Sequence, residues 1–188
     1  MKLSLDGMVE GPSGMADWVE AWSEDYGLSA QIDACVLGGG MYRGYEPYWT
    51  GIRSDPAKAA WITGSPPTPA EREWGRLSAE IPHYVLSKTQ TSALWPNTRF
   101  IHALDDVASL KQVPGKDIYL LGGADTAFRL MEAGLVDELR LILHPVVAGG
   151  GKPLFRVPMT ARRFELLNAA TLEDGRVSLA YALRSDPA

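Results

Sequence analysis

Cysteine is almost absent from this chain: of 188 residues only Cys35 carries a thiol. An internal disulfide and a cysteine-built zinc cluster are therefore excluded. No apolar run approaches the roughly 18 residues that a membrane-spanning helix needs. Positive charge is not in excess, with 18 Lys and Arg against 23 Asp and Glu and a formal net charge of −5. Nucleic-acid phosphate and anionic membrane surfaces are thus not expected partners. His83, His102 and His144 are far apart and lack ligand spacing, so each reads as a structural or surface histidine and no metal site is expected. Met1-Lys2-Leu3-Ser4-Leu5-Asp6-Gly7 meets an acid and a glycine too early for a signal peptide. Common motifs are missing as well. A dinucleotide fingerprint read from Gly38 fails at Arg43. A P-loop fails because Asp117 follows Gly115-Lys116 and Pro153 follows Gly151-Lys152. There is no G-x-S-x-G elbow, no H-E-x-x-H, and no H-x-E with paired cysteines. A soluble, reduced, cytoplasmic protein is expected.

What is present is an ordinary globular composition, 46% hydrophobic and 22% charged, in a length that suits one domain. That domain is expected over residues 1–184, with 185–188 as a tail. Gly64-Ser65-Pro66-Pro67-Thr68-Pro69 reads as a surface loop, too short to separate domains. Ala34 to Leu37, Tyr84 to Leu86, Ile118 to Leu121 and Leu139 to Leu143 are continuous apolar runs. Such runs predict strands covered on both faces, as in a largely parallel sheet. Between them, Ala124, Ala127, Phe128 and Met131 share a helical face, with Gly134 placed to end the helix. Thr68 to Glu80 reads as a helix with Pro69 in its first turn. Trp18 and Trp22 are four apart, with Asp17, Glu20, Glu24 and Asp25 as the polar face of a further helix. Near the end, Phe164 and Leu166, the turn Asp174-Gly175, and Val177, Leu179, Tyr181 and Leu183 form a β-hairpin pattern. The whole predicts an α/β domain with a mixed sheet.

Gly38-Gly39-Gly40 and Gly122-Gly123 each follow an apolar strand and precede a predicted helix; Gly149-Gly150-Gly151 is a third cluster. A strand–glycine–helix junction offers backbone N–H groups at the positive end of a helix dipole, where phosphate binds. A tight strand-to-helix turn also needs glycine for itself. Two such junctions on neighbouring strands favour a ligand, because open sheets bind at the carboxyl ends of their strands.

Several blocks, in order, resemble one family. Ser4-Leu5-Asp6-Gly7 looks like the S-L-D-G signature of dihydrofolate-reductase-like proteins of the RibD C-terminal group. Asp33-Ala34-Cys35-Val36-Leu37-Gly38, then Met41-Tyr42 and Tyr48-Trp49, is similar to that group's next segment. Tyr84 to Thr89, Leu121-Gly122-Gly123-Ala124, Gly134 to Leu139, and Pro145 to Gly151 followed by Leu154-Phe155 continue the resemblance. It implies a three-layer α/β/α dihydrofolate-reductase-like fold, a mostly parallel central sheet and a C-terminal antiparallel hairpin. It also implies NADPH as cofactor and a homodimer through the C-terminal sheet. By the same resemblance, Leu121, Gly122, Gly123, Ala124 and Thr126 hold the pyrophosphate, and Gly39, Gly40 and Met41 approach from the other side. Ser87, Lys88 and Thr89 lie by the adenosine ribose and its 2′-phosphate. Asp6 and Gly7 border the nicotinamide and substrate.

Two features depart from the family. Its G-R-x-T-Y stands here as Gly38-Gly39-Gly40-Met41-Tyr42, without the arginine and threonine, so Lys88 and Arg43 become the candidate partners of a 2′-phosphate. Only three residues precede Ser4, so the first strand is short or the chain starts upstream. Asp6 and Asp17 are the candidates for the proton or its relay, although spacing alone favours Asp6 as a turn residue before Gly7 and a solvated helix face explains Asp17 equally well. Trp18, Trp22, Tyr42, Trp49, Gly7 and Gly150 are candidate walls of a substrate pocket, although aromatics at helical spacing are more often core. The expected activity is hydride transfer to a small, heterocyclic substrate. Alternatives are a riboflavin-pathway reductase acting on 5-amino-6-(5-phosphoribosylamino)uracil, or a binding or dimerisation protein of the same fold without catalysis.

Overall fold

The computed structural model describes residues 1–19, 22 and 28–184. In chain order its elements are β1 (Lys2–Leu3), β2 (Met8–Glu10), β3 (Ile32–Gly38), α1 (Gly39–Ser54), α2 (Pro69–Ser78), β4 (His83–Leu86), β5 (Thr98–Ile101), α3 (Leu104–Leu110), β6 (Asp117–Gly122), α4 (Ala124–Glu132), β7 (Glu138–Leu143), β8 (Lys152–Pro153), β9 (Phe164–Thr171) and β10 (Val177–Leu183). They fall into two compact units, Met1–Val19 with Ala124–Ala188, and Glu20–Gly123. The tail 185–188 lies outside the described residues.

The unit from Glu20 to Gly123 is organised on a four-stranded sheet of order β5-β4-β3-β6, parallel at every pairing. The apolar run Ala34 to Leu37 becomes the buried centre of β3, as continuous hydrophobicity predicts for a strand covered on both faces. Helix α1 turns Tyr42, Tyr45, Tyr48, Trp49 and Ile52 inward, the three-to-four residue spacing of one helical face. Tyr48 and Trp49 meet edge to face with centroids 5.0 Å apart. Helix α2 begins where its sequence signals place it. The Glu71 N–H donates to Thr68 Oγ1 at 3.1 Å, the Thr68 N–H donates to Glu71 Oε2 at 2.9 Å, and Pro69 opens the helix. Buried Glu71 also accepts from Tyr48 Oη at 2.7 Å and from the Trp22 N–H at 3.1 Å. Burial raises its pKa, but these bonds outweigh that and hold it below its ordinary value.

In the other unit a sheet of order β1-β7-β10-β9 pairs β1 with β7 in parallel and the remainder antiparallel. Strands β9 and β10 form the expected hairpin around Asp174 (φ 60°) and Gly175 (φ 74°). Strands β2 and β8 pair separately. Gly151, beside β8, has φ +116°, and a Cβ there would sit 2.0 Å from the Glu10 carbonyl oxygen; only glycine fits. Helix α4 buries Ala124, Thr126, Ala127, Leu130 and Met131. It ends at Gly134 (φ 67°), whose N–H donates to the Met131 carbonyl.

The α/β class, the mostly parallel strands and the C-terminal hairpin are as expected. Strand β5 and helix α3 were not expected, and the strands divide into two four-stranded sheets and a pair. The helix expected around Trp18 is corrected: Asp17 and Trp18 lie in a turn closed by the Val19 N–H on the Ala16 carbonyl at 2.9 Å. Glu20, Glu24 and Asp25 lie outside the described residues. Among the described residues no helix is long and apolar enough to cross a membrane.

His83 is fully buried. Its Nδ1–H donates to the Ile81 carbonyl at 3.0 Å and its Nε2 accepts from Tyr45 Oη at 2.8 Å. Burial pushes its pKa from 6.5 down to about 4. An unfolded chain takes up this proton below pH 6.5 and the folded one only near pH 4, so stability falls across that window as pH drops. The cost reaches about 3 kcal/mol. Urea unfolding between pH 7.5 and 4.5 is expected to show this slope, and His83→Gln is expected to flatten it. An unchanged slope in the variant contradicts the assignment.

Candidate functional site

A parallel sheet brings all its carboxyl ends to one edge. Here that edge carries, from β5 to β6, His102, Ser87, Gly39 and Gly123. The chain builds β3, β4 and β5 outward on one side and then returns to place β6 on the other side of β3. The reversal makes a crevice between the ends of β3 and β6, where open α/β sheets take ligands. Gly39, Gly40 and Met41 form the first turn of α1 on one side of it; Leu121, partly buried, precedes Gly122 and Gly123 on the other. The two sides touch, since a Cβ on Gly123 would lie 3.8 Å from the Met41 Cβ, while nothing stands within 4 Å of one on Gly40.

The start of α1 lacks a partner of its own. Its N-cap, Gly38, has no side chain to accept a hydrogen bond, and its first turn carries no acid. The first turns of α2, α3 and α4 hold Glu71, Asp105 with Asp106, and Asp125. A sixteen-residue helix with free N–H groups and no neutralising carboxylate attracts an anion.

The turn after β4 packs against this helix start. Ser87 Oγ accepts from the N–H groups of Thr89 (3.3 Å) and Gln90 (3.1 Å). Its side chain and that of Gln90 fill the space a Gly39 Cβ would take, at 2.8 and 2.5 Å. His102 Nδ1–H donates to the Ser87 carbonyl at 2.7 Å. Lys88 and Thr89, at the tip, are exposed. Gln90 Oε1 is shut from solvent with no hydrogen-bond partner among the described residues. The rest of this loop is pinned to α1 by Glu46. Its Oε1 accepts from Tyr42 Oη at 2.6 Å, from the Trp95 N–H at 3.0 Å and from the Leu94 N–H.

In the other unit Asp6 clamps the glycine loop. It accepts from Ser4 Oγ at 2.6 Å and from the Ala148 and Gly149 N–H groups, both at 2.9 Å. The Ser4 hydroxyl and these backbone donors lower its pKa to about 2. Asp6 thus has both carboxylate oxygens engaged by the protein's own donors. Gly7 (φ +79°) makes the adjoining turn, and Gly150 lies beside Pro12. Asp17, the other donor candidate, is exposed and accepts from Ser13 Oγ at 2.9 Å. Trp18 packs near Gly11, its Nε1 buried with no partner among the described residues. Ala124 and Thr126 are buried at the start of α4. Asp125, which would repel a phosphate, is instead paired with Lys152 at 2.7 Å and with Arg156. Two pocket candidates are corrected. Trp49 and Tyr42 are core, 4% and 1% exposed, because both lie on the face of α1 that packs inward.

A model of the RibD C-terminal domain family matches residues 1–177. The chain belongs to the RibD C-terminal domain family. The chain is 32% identical to the uncharacterised protein YyaP of Bacillus subtilis (strain 168) over 188 residues, covering 96% of this chain and 91% of that one. Among solved structures it resembles a Shewanella sp. PV-4 protein provisionally assigned to riboflavin biosynthesis (TM-score 0.69, 19% identity, 98% and 96% of the two chains). It also resembles a dihydrofolate reductase from Enterococcus faecalis complexed with NADP(H) (TM-score 0.62, 12% identity, 98% and 94%). At these identities the structures show the fold: it is dihydrofolate-reductase-like.

For a RibD C-terminal domain the residues present fit a dinucleotide. The uncapped start of α1, the open position above Gly40 and the unpartnered Gln90 oxygen lie along one sheet edge. The sequence pointed to the glycines and Lys88 there. It gave no signal for Gln90, His102 or Glu46, whose roles arise from loop packing.

The Asp6 clamp has a direct test. Asp6→Asn places an amide donor against N–H donors, so hydrogen exchange at Ala148 and Gly149 is expected to speed up by roughly tenfold or more, with a lowered melting temperature. Unchanged protection at both amides contradicts the clamp.

Proposed function

We propose that this protein is an NADPH-dependent reductase of a small heterocyclic substrate. The observation that carries the reading is the uncapped, acid-free start of α1 at the reversal point of a parallel sheet, in a member of the RibD C-terminal domain family. The N–H groups of Gly39, Gly40 and Met41 would hold one side of the pyrophosphate, with Leu121, Gly122 and Gly123 on the other. Ser87 shapes the turn that presents Lys88 and Thr89 to the adenosine ribose. Lys88 is a point charge suited to a 2′-phosphate. Arg43, exposed on α1, is the second cation available to it.

A reduced nicotinamide dinucleotide held there would supply the hydride, leaving this chain's residues to orient the acceptor and deliver the accompanying proton. On the substrate side Asp6 holds the Gly149 to Gly151 loop, with Gly7, Gly150 and Trp18 as lining residues. Asp17 is exposed to water and is the residue assigned to pass on the proton. The substrate class extends to 5-amino-6-(5-phosphoribosylamino)uracil, named for a Thermotoga maritima deaminase and reductase of similar fold. We further propose a cytoplasmic homodimer joined at the C-terminal sheet. There β9 is an exposed edge strand with Leu166 and Leu167 turned outward, an edge that a second copy would cover.

Quenching of the six tryptophans tests the cofactor. NADPH is expected to bind in the micromolar range, and Lys88→Ala to weaken it about tenfold while NADH binding hardly moves. A folded protein that binds neither dinucleotide contradicts the reductase reading. Consumption of NADPH with 5-amino-6-(5-phosphoribosylamino)uracil, compared with dihydrofolate, tests the substrate. Asp17→Asn is expected to lower kcat more than tenfold with KM unchanged; an unaltered kcat removes Asp17 from the chemistry.

A further inference from the structure

Between β7 and β9 the chain runs through residues 144–163 with β8 as its only regular element. So long a connection with so little structure of its own is uncommon in a compact domain and is usually functional. It is nevertheless held, and by carboxylates. Asp6 takes the Ala148 and Gly149 N–H groups. Asp125, in the first turn of α4, takes Lys152 Nζ at 2.7 Å and the Arg156 guanidinium. Glu132, at the far end of α4, accepts from Thr160 Oγ1 at 3.0 Å, and its carbonyl accepts from Arg162 at 3.0 Å. Helix α4 is the spine along which the segment is laid.

Asp125 behaves unlike the other acids at helix starts. Glu71 and Asp106 accept from backbone N–H groups at the entry of their own helices. Asp125 turns one oxygen to each of two cations from the distant segment, and they hold its carboxyl below the ordinary range. Arg156 is seated on the Phe128 ring, 5.7 Å from its centroid, and Lys152 has Glu10 as a second partner at 3.8 Å. A lone exposed ion pair contributes little; a carboxylate shared by two anchored cations is a network. Between Lys152 and Arg156 lies Leu154, fully buried, whose N–H donates to the Gly7 carbonyl at 3.1 Å. Just before them Gly151 packs against the Glu10 carbonyl, where only glycine fits. Asp125 therefore fixes the stretch that seats Gly7 and follows Gly150, two lining residues of the substrate side.

We propose that Asp125 is a positioning residue for substrate binding, acting through Lys152 and Arg156 on Leu154 and Gly7. This rests on the substrate side assigned above and deepens it. Asp6 secures the entry to the glycine loop, and Asp125 secures its exit. Without the Asp125 charge the glycines leave the loop other shapes to adopt, and fewer molecules hold the receptive one. Substrate affinity falls by that fraction, while substrate already bound reacts at an unchanged rate.

The test is steady-state kinetics at saturating NADPH with 5-amino-6-(5-phosphoribosylamino)uracil and with dihydrofolate. It compares the wild type, Asp125→Asn, Asp125→Glu and Glu132→Gln, each checked for a cooperative melt. In Asp125→Asn the KM of the substrate turned over is expected to rise about fivefold, with kcat changed less than about twofold. Hydrogen exchange at the Leu154 amide is expected to quicken, while Ala148 and Gly149 keep their protection on Asp6. Asp125→Glu, which returns the charge, is expected to restore KM to within about twofold of the wild type. Glu132→Gln loosens the far end of the same segment and is expected to leave KM unaltered. An unchanged KM in Asp125→Asn, an equal rise in Glu132→Gln, or a loss confined to kcat overturns the assignment and leaves the reductase reading intact. A wild type that binds NADPH and turns over neither compound overturns the proposed substrate class and this assignment with it. If Asp125→Asn does not melt cooperatively, Arg156→Gln, which removes one of the two pairs, decides on the same KM and kcat criteria.

Discussion

The parallel alignment of β3, β4, β5 and β6 constrains everything else in their unit. Parallel strands cannot be joined by tight hairpins, so each connection must travel back across the sheet, and all carboxyl ends collect at one edge. Strand β3 is buried along most of its length, which fixes it at the centre and leaves β4 and β6 to flank it. Once the chain has laid down β4 and β5 on one side, placing β6 on the other creates the crevice. The glycines at Gly39 and Gly123 are where backbone can line it. The crevice in this unit is a consequence of strand order more than of any single side chain.

The loops then divide the labour between shape and contact. Ser87, His102 and Glu46 spend their polar groups on the protein's own backbone or on Tyr42, and the effect is a fixed turn after β4. Lys88 is left exposed and Gln90 Oε1 unpartnered. In the other unit the same economy appears at Asp6, whose two oxygens accept from two backbone N–H groups of the glycine loop. The Asp125 carboxylate is similarly taken by Lys152 and Arg156.

Legibility in the sequence follows burial. Strands β3 and β4 were visible as continuous apolar runs because they are buried along most of their length; β6 and β7 showed such runs although β6 stays partly exposed. Strand β5 was not, since Thr98-Arg99-Phe100-Ile101 forms a sheet edge that stays partly open; helix α3 buries only Val107 and shows little periodicity. The glycine clusters were legible as a phosphate-binding pattern because backbone geometry restricts them. Trp49 and Tyr42 were open to two meanings until the inward face of α1 was known. Gln90 was invisible for a plainer reason: a loop glutamine has no pattern, and only the missing side chain at Gly39 gives it a place. The ordered family blocks supplied what periodicity could not, the membership in the RibD C-terminal domain family.

Amide hydrogen–deuterium exchange with and without saturating NADPH tests the central claim most directly. Protection is expected at residues 39–42, 87–90 and 122–123, with the amides of β9 and β10 unchanged. Protection confined to other segments, or none at the start of α1, contradicts the placement of the cofactor at the carboxyl edge of the parallel sheet.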